Sequence, residues 1–174
     1  MRNLTKLAII STLILSCFQT VLAQKTSRAE REAAKVAKVK ALIDARNYVF
    51  QADYVIPQRG NSKSLTFGYD MVVSKDTLQT YLPYYGQVTL APTDASDGGI
   101  KLNTTNFSYE AKAGKKGGYE IIIKPTDNFY QGSKDVRYMR MQVSATGYAS
   151  LQVISNNRDP ISFNGTIEDR KEKK

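Results

Sequence analysis

Tyrosines and carboxylates are the side chains of this sequence that could carry chemistry. The chain contains eleven tyrosines and 16 acidic residues, but no histidine, no tryptophan and a single cysteine. The lack of histidine excludes Ser-His-Asp and Cys-His nucleophile pairs and removes the commonest general base. With one thiol and no imidazole, a zinc site made of histidine and cysteine cannot be assembled. Binding through tyrosines and acid–base chemistry by carboxylates remain open.

The most distinctive tyrosine cluster surrounds a proline. Tyr81, Tyr84 and Tyr85 flank Pro83 and precede Gly86, a composition that predicts a turn or a strand break. One interpretation is a ligand-binding groove, because tyrosine offers a flat apolar ring and a hydrogen-bonding tip that suit sugars or peptides. The alternative is structural, with the same residues stabilising a strand crossover by packing and by hydroxyl-to-backbone hydrogen bonds.

Carboxylate-pair catalysis would require two acids about 5–10 Å apart in a cleft. Most acidic residues of the chain fall in predicted turns or on outward faces of strands. Asp53 and Asp70 are exceptions, because they lie in mid-strand on the face opposite the large apolar residues. Nothing in the sequence brings these two together, and a solvated sheet face explains both. We therefore assign no catalytic residue, metal or cofactor.

Two short segments have weaker functional interpretations. Asp94–Gly99 is an acidic, glycine-ended loop that could bind calcium, but it lacks the Asp-x-Asp-x-Asp-Gly spacing, and a solvated turn is favoured. Asp76-Thr77-Leu78 fits the short Asp-Ser/Thr-apolar pattern of O-glycosylation in exported bacterial proteins, with Thr77 as the acceptor. A turn between strands explains Asp76 equally well.

The first 23 residues have the pattern of a secretory signal peptide. Arg2 and Lys6 precede an apolar run, Leu7–Phe18, and small or apolar residues lie before a cleavage site at Gln24. The alternative is a lipoprotein cleaved at Cys17, which would attach the protein to a membrane through a lipid. Either pathway predicts a periplasmic or extracellular protein, and membrane association is expected only if Cys17 is lipidated.

Residues 24–46 are predicted to form a basic helix. Ser27 and Glu30 fit a capping box, and apolar residues recur at helical spacing, with firm docking expected from Val36 onward. The net charge of the whole chain is +9, and the segment Lys25–Arg46 holds seven basic residues against three acidic ones. An anionic-surface binder is one interpretation, and a solvated helix covering a sheet is the favoured one. No nucleic-acid partner is expected, because no basic stripe with interleaved aromatics follows.

Period-two alternation predicts that residues 47–168 form a single β domain, followed by a charged tail at 169–174. Tyr48–Ile56 places Tyr48, Phe50, Ala52, Tyr54 and Ile56 on one face. The other alternating runs include Leu65–Val73, Thr77–Leu82, Gln87–Ala91, Phe107–Ala113, Val136–Ser144, Tyr148–Ser155 and Ile161–Ile167. About eight or nine short strands with one apolar face each predict a mainly β protein. We expect an antiparallel sandwich or a curled barrel-like sheet with one N-terminal helix.

Four sequence blocks carry a resemblance to a known family. They are Tyr81-Leu82-Pro83-Tyr84-Tyr85-Gly86, Gly147-Tyr148-Ala149-Ser150-Leu151, Asn156-Asn157-Arg158 and Ile161-Ser162-Phe163-Asn164-Gly165. With the signal peptide and the basic helix, they resemble the domain-of-unknown-function 4251 family, exported proteins mostly of Gram-negative gut-type bacteria. The resemblance implies export and a domain that covers nearly the whole mature chain, and it implies no activity.

We therefore predict an exported envelope protein with a non-catalytic β domain that binds a small ligand, a glycan or a protein partner. The contacts are expected at Tyr81, Pro83, Tyr84, Tyr85 and Gly86. A carboxylate-dependent glycan hydrolase is one alternative, and a structural or assembly component of an envelope complex is another.

Overall fold

The computed structural model describes residues 28–66, 68–89, 98–127 and 132–170. A helix, α1 (28–45), precedes ten strands. The strands are β1 (Tyr48–Pro57), β2 (Lys63–Ser64), β3 (Asp70–Val73), β4 (Leu78–Leu82), β5 (Ile100–Thr104), β6 (Phe107–Ala113), β7 (Tyr119–Pro125), β8 (Tyr138–Val143), β9 (Tyr148–Ile154) and β10 (Ile161–Glu168). The predicted signal peptide with Cys17, Ser27 of the predicted capping box, Asp94–Asp97 and the last four residues lie outside the described residues.

All strand pairs are antiparallel, in the order β5-β4-β3-β1-β10-β9-β8-β7-β6, and the short β2 also pairs with β1. The result is a nearly closed, barrel-like sheet with one helix at its N-terminal end, which confirms the predicted fold class. Hairpins connect most neighbours in this order. The central pair joins β1 to β10, so the two ends of the domain meet in the middle of the sheet.

The barrel interior is filled by the apolar residues that alternate along the strands. Phe50, Met71, Leu151 and Phe163 have no exposed surface at all. The predicted inward faces of the last three long strands are confirmed, and they consist of Met139, Met141, Val143, Ala149, Leu151, Val153, Ile161, Phe163 and Ile167. Close packing of this kind stabilises the fold by removing apolar surface from water. Because the interior is occupied by side chains, the grooves described below lie on the outer surface.

A β-bulge reverses the outward and inward faces of β1 in its second half. The register against β10 shifts between Ala52 and Tyr54, which adds one residue to β1. The prediction that Tyr54 and Ile56 face the core is therefore wrong, since they are 52% and 40% exposed. Val55 and Pro57 are buried in their place.

Gly165 in β10 makes room for this bulge. A β-carbon at Gly165 would lie 1.9 Å from the carbonyl oxygen of Gln51 and 3.1 Å from the Cα of Ala52. Those neighbours are backbone atoms, so rotation of a side chain cannot relieve the overlap. The absence of a side chain at Gly165 is what allows β1 to approach β10 so closely.

Two other predicted strands differ from the structure. The run Leu65–Val73 is broken, because Gly68 has a φ of +104° and strand β3 begins only at Asp70. A left-handed glycine of this kind turns the chain and interrupts a continuous strand. The predicted strand Gln87–Ala91 does not form among the described residues. Its β pairing there is limited to an isolated bridge between Val88 and Arg158, because this segment pairs with a loop rather than with a strand.

Helix α1 docks against the barrel through its C-terminal half. Val39 and Ile43 are 5% and 2% exposed, whereas Val36 is 38% exposed, so docking begins about one turn later than predicted. The Cγ2 of Val39 lies 3.3 Å from where a β-carbon of Gly147 would be, which brings the helix onto the β8–β9 turn. No helix among the described residues is long and apolar enough to cross a membrane.

Candidate functional site

Tyr84 connects two loops at one end of the barrel. Its hydroxyl lies 2.8 Å from the carbonyl oxygen of Gln87 and 3.1 Å from that of Asp159, and it donates its hydrogen to these acceptors. Burial, followed by the charge of Asp159, raises the pKa of the Tyr84 hydroxyl. A β-carbon on Gly86 would lie 2.3 Å from the Tyr84 hydroxyl oxygen. These contacts agree with the structural interpretation of Tyr84 and Gly86, in which they stabilise a chain connection by packing and by hydroxyl-to-backbone hydrogen bonds.

A buried polar cluster lies next to the contact that Tyr84 makes between the two loops. The carboxylate of Asp135, which is 2% exposed, accepts hydrogen bonds from the backbone N–H of Asn156 and Asn157 at 3.1 and 2.9 Å. The side-chain amide of Asn156 donates to it as well, at 2.8 Å. Arg158 lies with its guanidinium 5.1 Å from the ring centroid of Tyr84 and donates to the carbonyl of Gly99 at 2.6 Å. These buried polar groups are thus paired, as a stable interior requires.

The other two tyrosines of the predicted cluster lie apart from Tyr84. Tyr81 is 51% exposed on β4 and stacks on Tyr69, with ring centroids 5.8 Å apart and planes 12° apart. Tyr85 is 41% exposed, and the ammonium nitrogen of Lys63 lies 4.3 Å from its ring centroid. Pro83 is half-buried between them. The residues of the predicted tyrosine cluster therefore do not form one site. Tyr81 lies on the outer face of the sheet, whereas Tyr84 lies between two loops.

One outer groove, of about 1410 Å³, covers the face of β1, β3, β4 and β5. Its lining includes Gln51, Asp70, Gln79 and Tyr81. The aromatic surface of Tyr81 is partly used here, since one side stacks on Tyr69. The ammonium nitrogen of Lys101 also lies 6.0 Å from the Tyr81 ring centroid. This groove mixes both charges and offers little free aromatic surface.

A second outer groove, of about 1230 Å³, covers β1 and the strands from β10 to β6. We call its central part the tyrosine face, which consists of Tyr54, Gln142, Tyr148, Ser150 and Asn164. Tyr54 and Tyr148 are 52% and 70% exposed. Among the described residues, neither ring stacks on another aromatic ring or carries a cation above it. Both rings are therefore available to a ligand.

The strand register aligns the polar residues of the tyrosine face. Tyr54 is opposite Asn164, Asn164 is opposite Ser150, and Ser150 is opposite Gln142. Tyr148 precedes Ser150 by two residues on β9, so both point to the same side of the sheet. Hydroxyl and amide groups thus form a continuous row across four strands, next to two exposed rings.

Charged residues at the end of this row are paired with one another. Arg140 donates from its Nε to the Oε1 of Glu120 at 2.6 Å. Lys112 lies opposite Glu120 in the β6–β7 pair, although the Lys112 ammonium bonds to Glu110 at 2.9 Å. That contact raises the pKa of Lys112 and lowers the pKa of Glu110. The tyrosine face itself contains no charged residue.

The two carboxylates predicted to lie in mid-strand do not form a pair at one site, and Asp70 is in fact the first residue of β3. Asp53 lies in the bulge of β1 and lines the second groove, whereas Asp70 lines the first. Within the part of the chain that is described, no group of three or more aspartates, glutamates, histidines or cysteines could hold a metal. Of the segment interpreted as a possible calcium loop, only Gly98 and Gly99 are described.

Thr77 lies in the turn that connects β3 to β4. Its N–H donates to the hydroxyl of Ser74 at 3.1 Å, and its carbonyl accepts from the N–H of Ser74 at 2.9 Å. The side chain of Asp76 is exposed in the same turn. The turn explains this segment in structural terms, and O-glycosylation of Thr77 stays a prediction.

Sequence reasoning does not identify the tyrosine face. Alternation places Tyr54 in the core, and Tyr148 only marks the start of a strand. One signal of the bulge lies in β1 itself. Buried residues recur at every second position up to Ala52, and the next buried residue is Val55, three positions later instead of two. Gly165 on the partner strand is a second signal, since glycine inside a strand often marks a bulge.

Comparisons with known proteins identify a family and a fold. The family model described as "Domain of unknown function (DUF4251)" matches residues 30–167. The chain is also similar to the crystal structure of a DUF4251 family protein from Bacteroides eggerthii DSM 20697. That comparison gives a TM-score of 0.56 and 15% identity, and it covers 79% of this chain and 91% of that one. At this identity the likeness concerns the fold alone. No curated protein matches the sequence.

Proposed function

The chain belongs to the domain-of-unknown-function 4251 (DUF4251) family, and from this starting point we propose that it is an exported, non-catalytic binding protein. In this proposal, the ligand contacts the tyrosine face on the outside of the barrel. The single observation that carries the proposal is the exposure of Tyr54 and Tyr148 beside a row of uncharged polar side chains.

Exposed aromatic surface favours this face over the predicted cluster. Tyr84 uses its hydroxyl in a loop connection, Tyr81 stacks on Tyr69, and Tyr85 lies beneath Lys63. Tyr54 and Tyr148 have no such ring contacts among the described residues. Aromatic side chains that combine an apolar ring with a polar tip are enriched where proteins bind partners.

A binding role is also supported by the distribution of acid and base groups. The chain has no histidine, and the carboxylates of Asp53 and Asp70 line different grooves. The buried carboxylate of Asp135 is surrounded by donors from the β9–β10 turn. Its hydrogen bonds explain its position without a catalytic role.

Export is the second part of the proposal, and the N-terminal sequence supports it. Arg2, Lys6 and the apolar run that follows have the order of a secretory signal. The test is mass spectrometry of the protein purified from the cells that produce it. We expect a mature N-terminus at Gln24, or a lipid-modified one at Cys17. A protein that begins at Met1 and stays in the cytoplasm would contradict export.

Affinity electrophoresis in native gels tests the binding part. The gels contain dextran, laminarin, heparin or gelatin, which represent neutral polysaccharides, polyanions and peptides. Because the full chain has a net charge of +9, and the predicted signal peptide holds only two of its basic residues, the gels are run toward the cathode. We expect at least one polymer to retard the protein, and Tyr54→Ala/Tyr148→Ala to abolish the retardation.

The matched control is Tyr81→Ala/Tyr85→Ala, which removes two exposed tyrosines outside the tyrosine face. It should bind like the unaltered protein. The opposite result, in which only this control loses binding, would move the site to the cluster predicted from the sequence. A protein that none of the four polymers retards would contradict the proposed binding function.

A further inference from the structure

We infer that the tyrosine face binds a neutral oligosaccharide or polysaccharide segment, with Tyr54 and Tyr148 as two stacking platforms. This inference rests on the proposed function and specifies the class of ligand for the same site. Four features of the described residues support it, namely the chemistry of the row, the composition of the groove lining, the spacing of the two rings and the position of both rings on paired strands.

The chemistry of the row matches a ligand with many hydroxyl groups. The amides of Asn164 and Gln142 each offer donors and an acceptor, and the Ser150 hydroxyl can do both. A sugar hydroxyl likewise donates and accepts, so every group of this row can pair with it. An anionic ligand would call for cations along the row, but the row contains none. Arg140, two residues from Gln142 on β8, is paired with Glu120. Of the described residues that line the groove, the one cation is Lys115, which lies in the β6–β7 loop, beyond the strands that carry the row.

The groove lining also disfavours a protein partner. Of the described residues that line it, the one aliphatic side chain larger than alanine is Val143, which is only 3% exposed, and none is Leu, Ile, Met or Phe. Protein interfaces usually bury a central apolar or aromatic anchor in a pocket. Here the exposed centre is polar, and the rings of Tyr54 and Tyr148 lie at its sides. The third tyrosine of the lining, Tyr119, is partly buried against the core. Rings beside amides match a sugar chain, which has both apolar and hydroxylated faces. They match less well a protein partner that would insert an apolar anchor.

The spacing of the two rings fits an extended ligand. Tyr54 pairs with Asn164, and Tyr148 pairs with Thr166 on the other side of the same strand. The two tyrosines are therefore two strands apart and offset by two residues, which places their backbones about 12 Å from each other. A single sugar ring cannot contact both side chains, whereas a short oligosaccharide can.

Both platforms lie on paired strands rather than on a long loop. The bulge of β1 turns Tyr54 outward, and the close approach at Gly165 maintains the bulge. Tyr148 follows a tight turn in which Gly147 has a φ of +96°, and its N–H donates to the Ser144 hydroxyl at 3.0 Å. A surface that is already in place costs little conformational entropy when a ligand binds.

The test compares neutral and non-neutral polymers in the affinity gels. Dextran and laminarin are the neutral probes, and heparin and gelatin represent the competing classes. We expect a neutral polysaccharide to retard the unaltered protein, and each of Tyr54→Ala and Tyr148→Ala to weaken its affinity about tenfold. Asn164→Ala should weaken it as well, whereas Tyr85→Ala should not. Unchanged melting temperatures of the variants would exclude unfolding as the cause.

Three outcomes separate this inference from the proposed function. If only heparin or gelatin retards the protein, and the loss of both tyrosines abolishes that effect, the neutral-glycan inference is overturned and the binding face stands. If neutral polymers bind equally well without the two tyrosines, the tyrosine face is not the site and both proposals are overturned. If no polymer retards the protein, both are likewise overturned.

Discussion

Substitution of Gly165 by alanine tests the central structural feature of this protein. The new β-carbon would lie 1.9 Å from the Gln51 carbonyl oxygen, where an ordinary contact begins at about 3.4 Å. The β1 backbone would therefore have to retreat by about 1.5 Å, which exceeds what a backbone hydrogen bond tolerates. We expect loss of pairing near Ala52 and outward movement of the bulge.

The expected cost follows from two contributions. Overpacking in a filled interior typically costs about 1–3 kcal/mol. Loss of one or two hydrogen bonds between β1 and β10 adds about 1 kcal/mol each. Together they give a decrease of about 2–5 kcal/mol in the free energy of unfolding, or a decrease in melting temperature of about 6–20 °C for a domain of this size.

Urea unfolding followed by circular dichroism measures this change, and Gly98→Ala is the matched control. Gly98 has an ordinary φ, and no heavy atom of the described residues lies within 4 Å of the place that its β-carbon would take. Its substitution should therefore change the free energy of unfolding by less than about 0.5 kcal/mol. If Gly165→Ala were as stable as the control, the close approach of β1 to β10 would be refuted, and with it the explanation of why Tyr54 is exposed.

Three further substitutions test other parts of the structure. Tyr84→Phe removes the hydroxyl between two loops and should cost about 1 kcal/mol in urea unfolding, whereas Tyr85→Phe should cost nothing measurable; equal effects would contradict the structural role. Asp135→Asn exchanges an acceptor for a donor at a carboxylate bonded by three N–H groups and should cost about 2–3 kcal/mol; a stability like that of the unaltered protein would exclude this network. Burial raises the pKa of Tyr48 well above its ordinary value. Above about pH 10, the folded state therefore keeps a proton that the unfolded chain loses. The free energy of unfolding should then fall by about 1.4 kcal/mol per pH unit because of this group. Urea midpoints at increasing pH should fall less steeply in Tyr48→Phe, and identical slopes would contradict the burial of that hydroxyl.

The strands whose positions and buried faces could be predicted correctly are those that lie next to strands with the same alternation of apolar and polar residues. Met139, Met141 and Val143 alternate with polar residues, and so do Leu151 and Val153 on the next strand. A short turn with Gly147 joins the two, so local pattern and tertiary pairing agree. Where they agree, alternation identifies both the strand and its buried face.

The candidate site could not be predicted in the same way, because it depends on an irregular pairing. A bulge adds one residue to a strand, and each later side chain then changes face. Tyr54 and Ile56 are exposed for this reason, although alternation from Tyr48 places them inside. The bulge depends on contact with Gly165, which is more than a hundred residues away in the sequence. No local pattern contains that information.

The sequence alone determined the chemistry that this protein has at its disposal, because composition does not change on folding. Without histidine and with one cysteine, the acid–base side chains of this protein are almost all carboxylates, lysines, arginines and tyrosines, whatever its fold. Only the tertiary structure decided which tyrosines are available. Tyr84 is held by the β9–β10 loop, whereas the register of β1, β10 and β9 places Tyr54 and Tyr148 on one open face. Pairing between distant strands sets exposure, and exposure determines which side chains can meet a ligand.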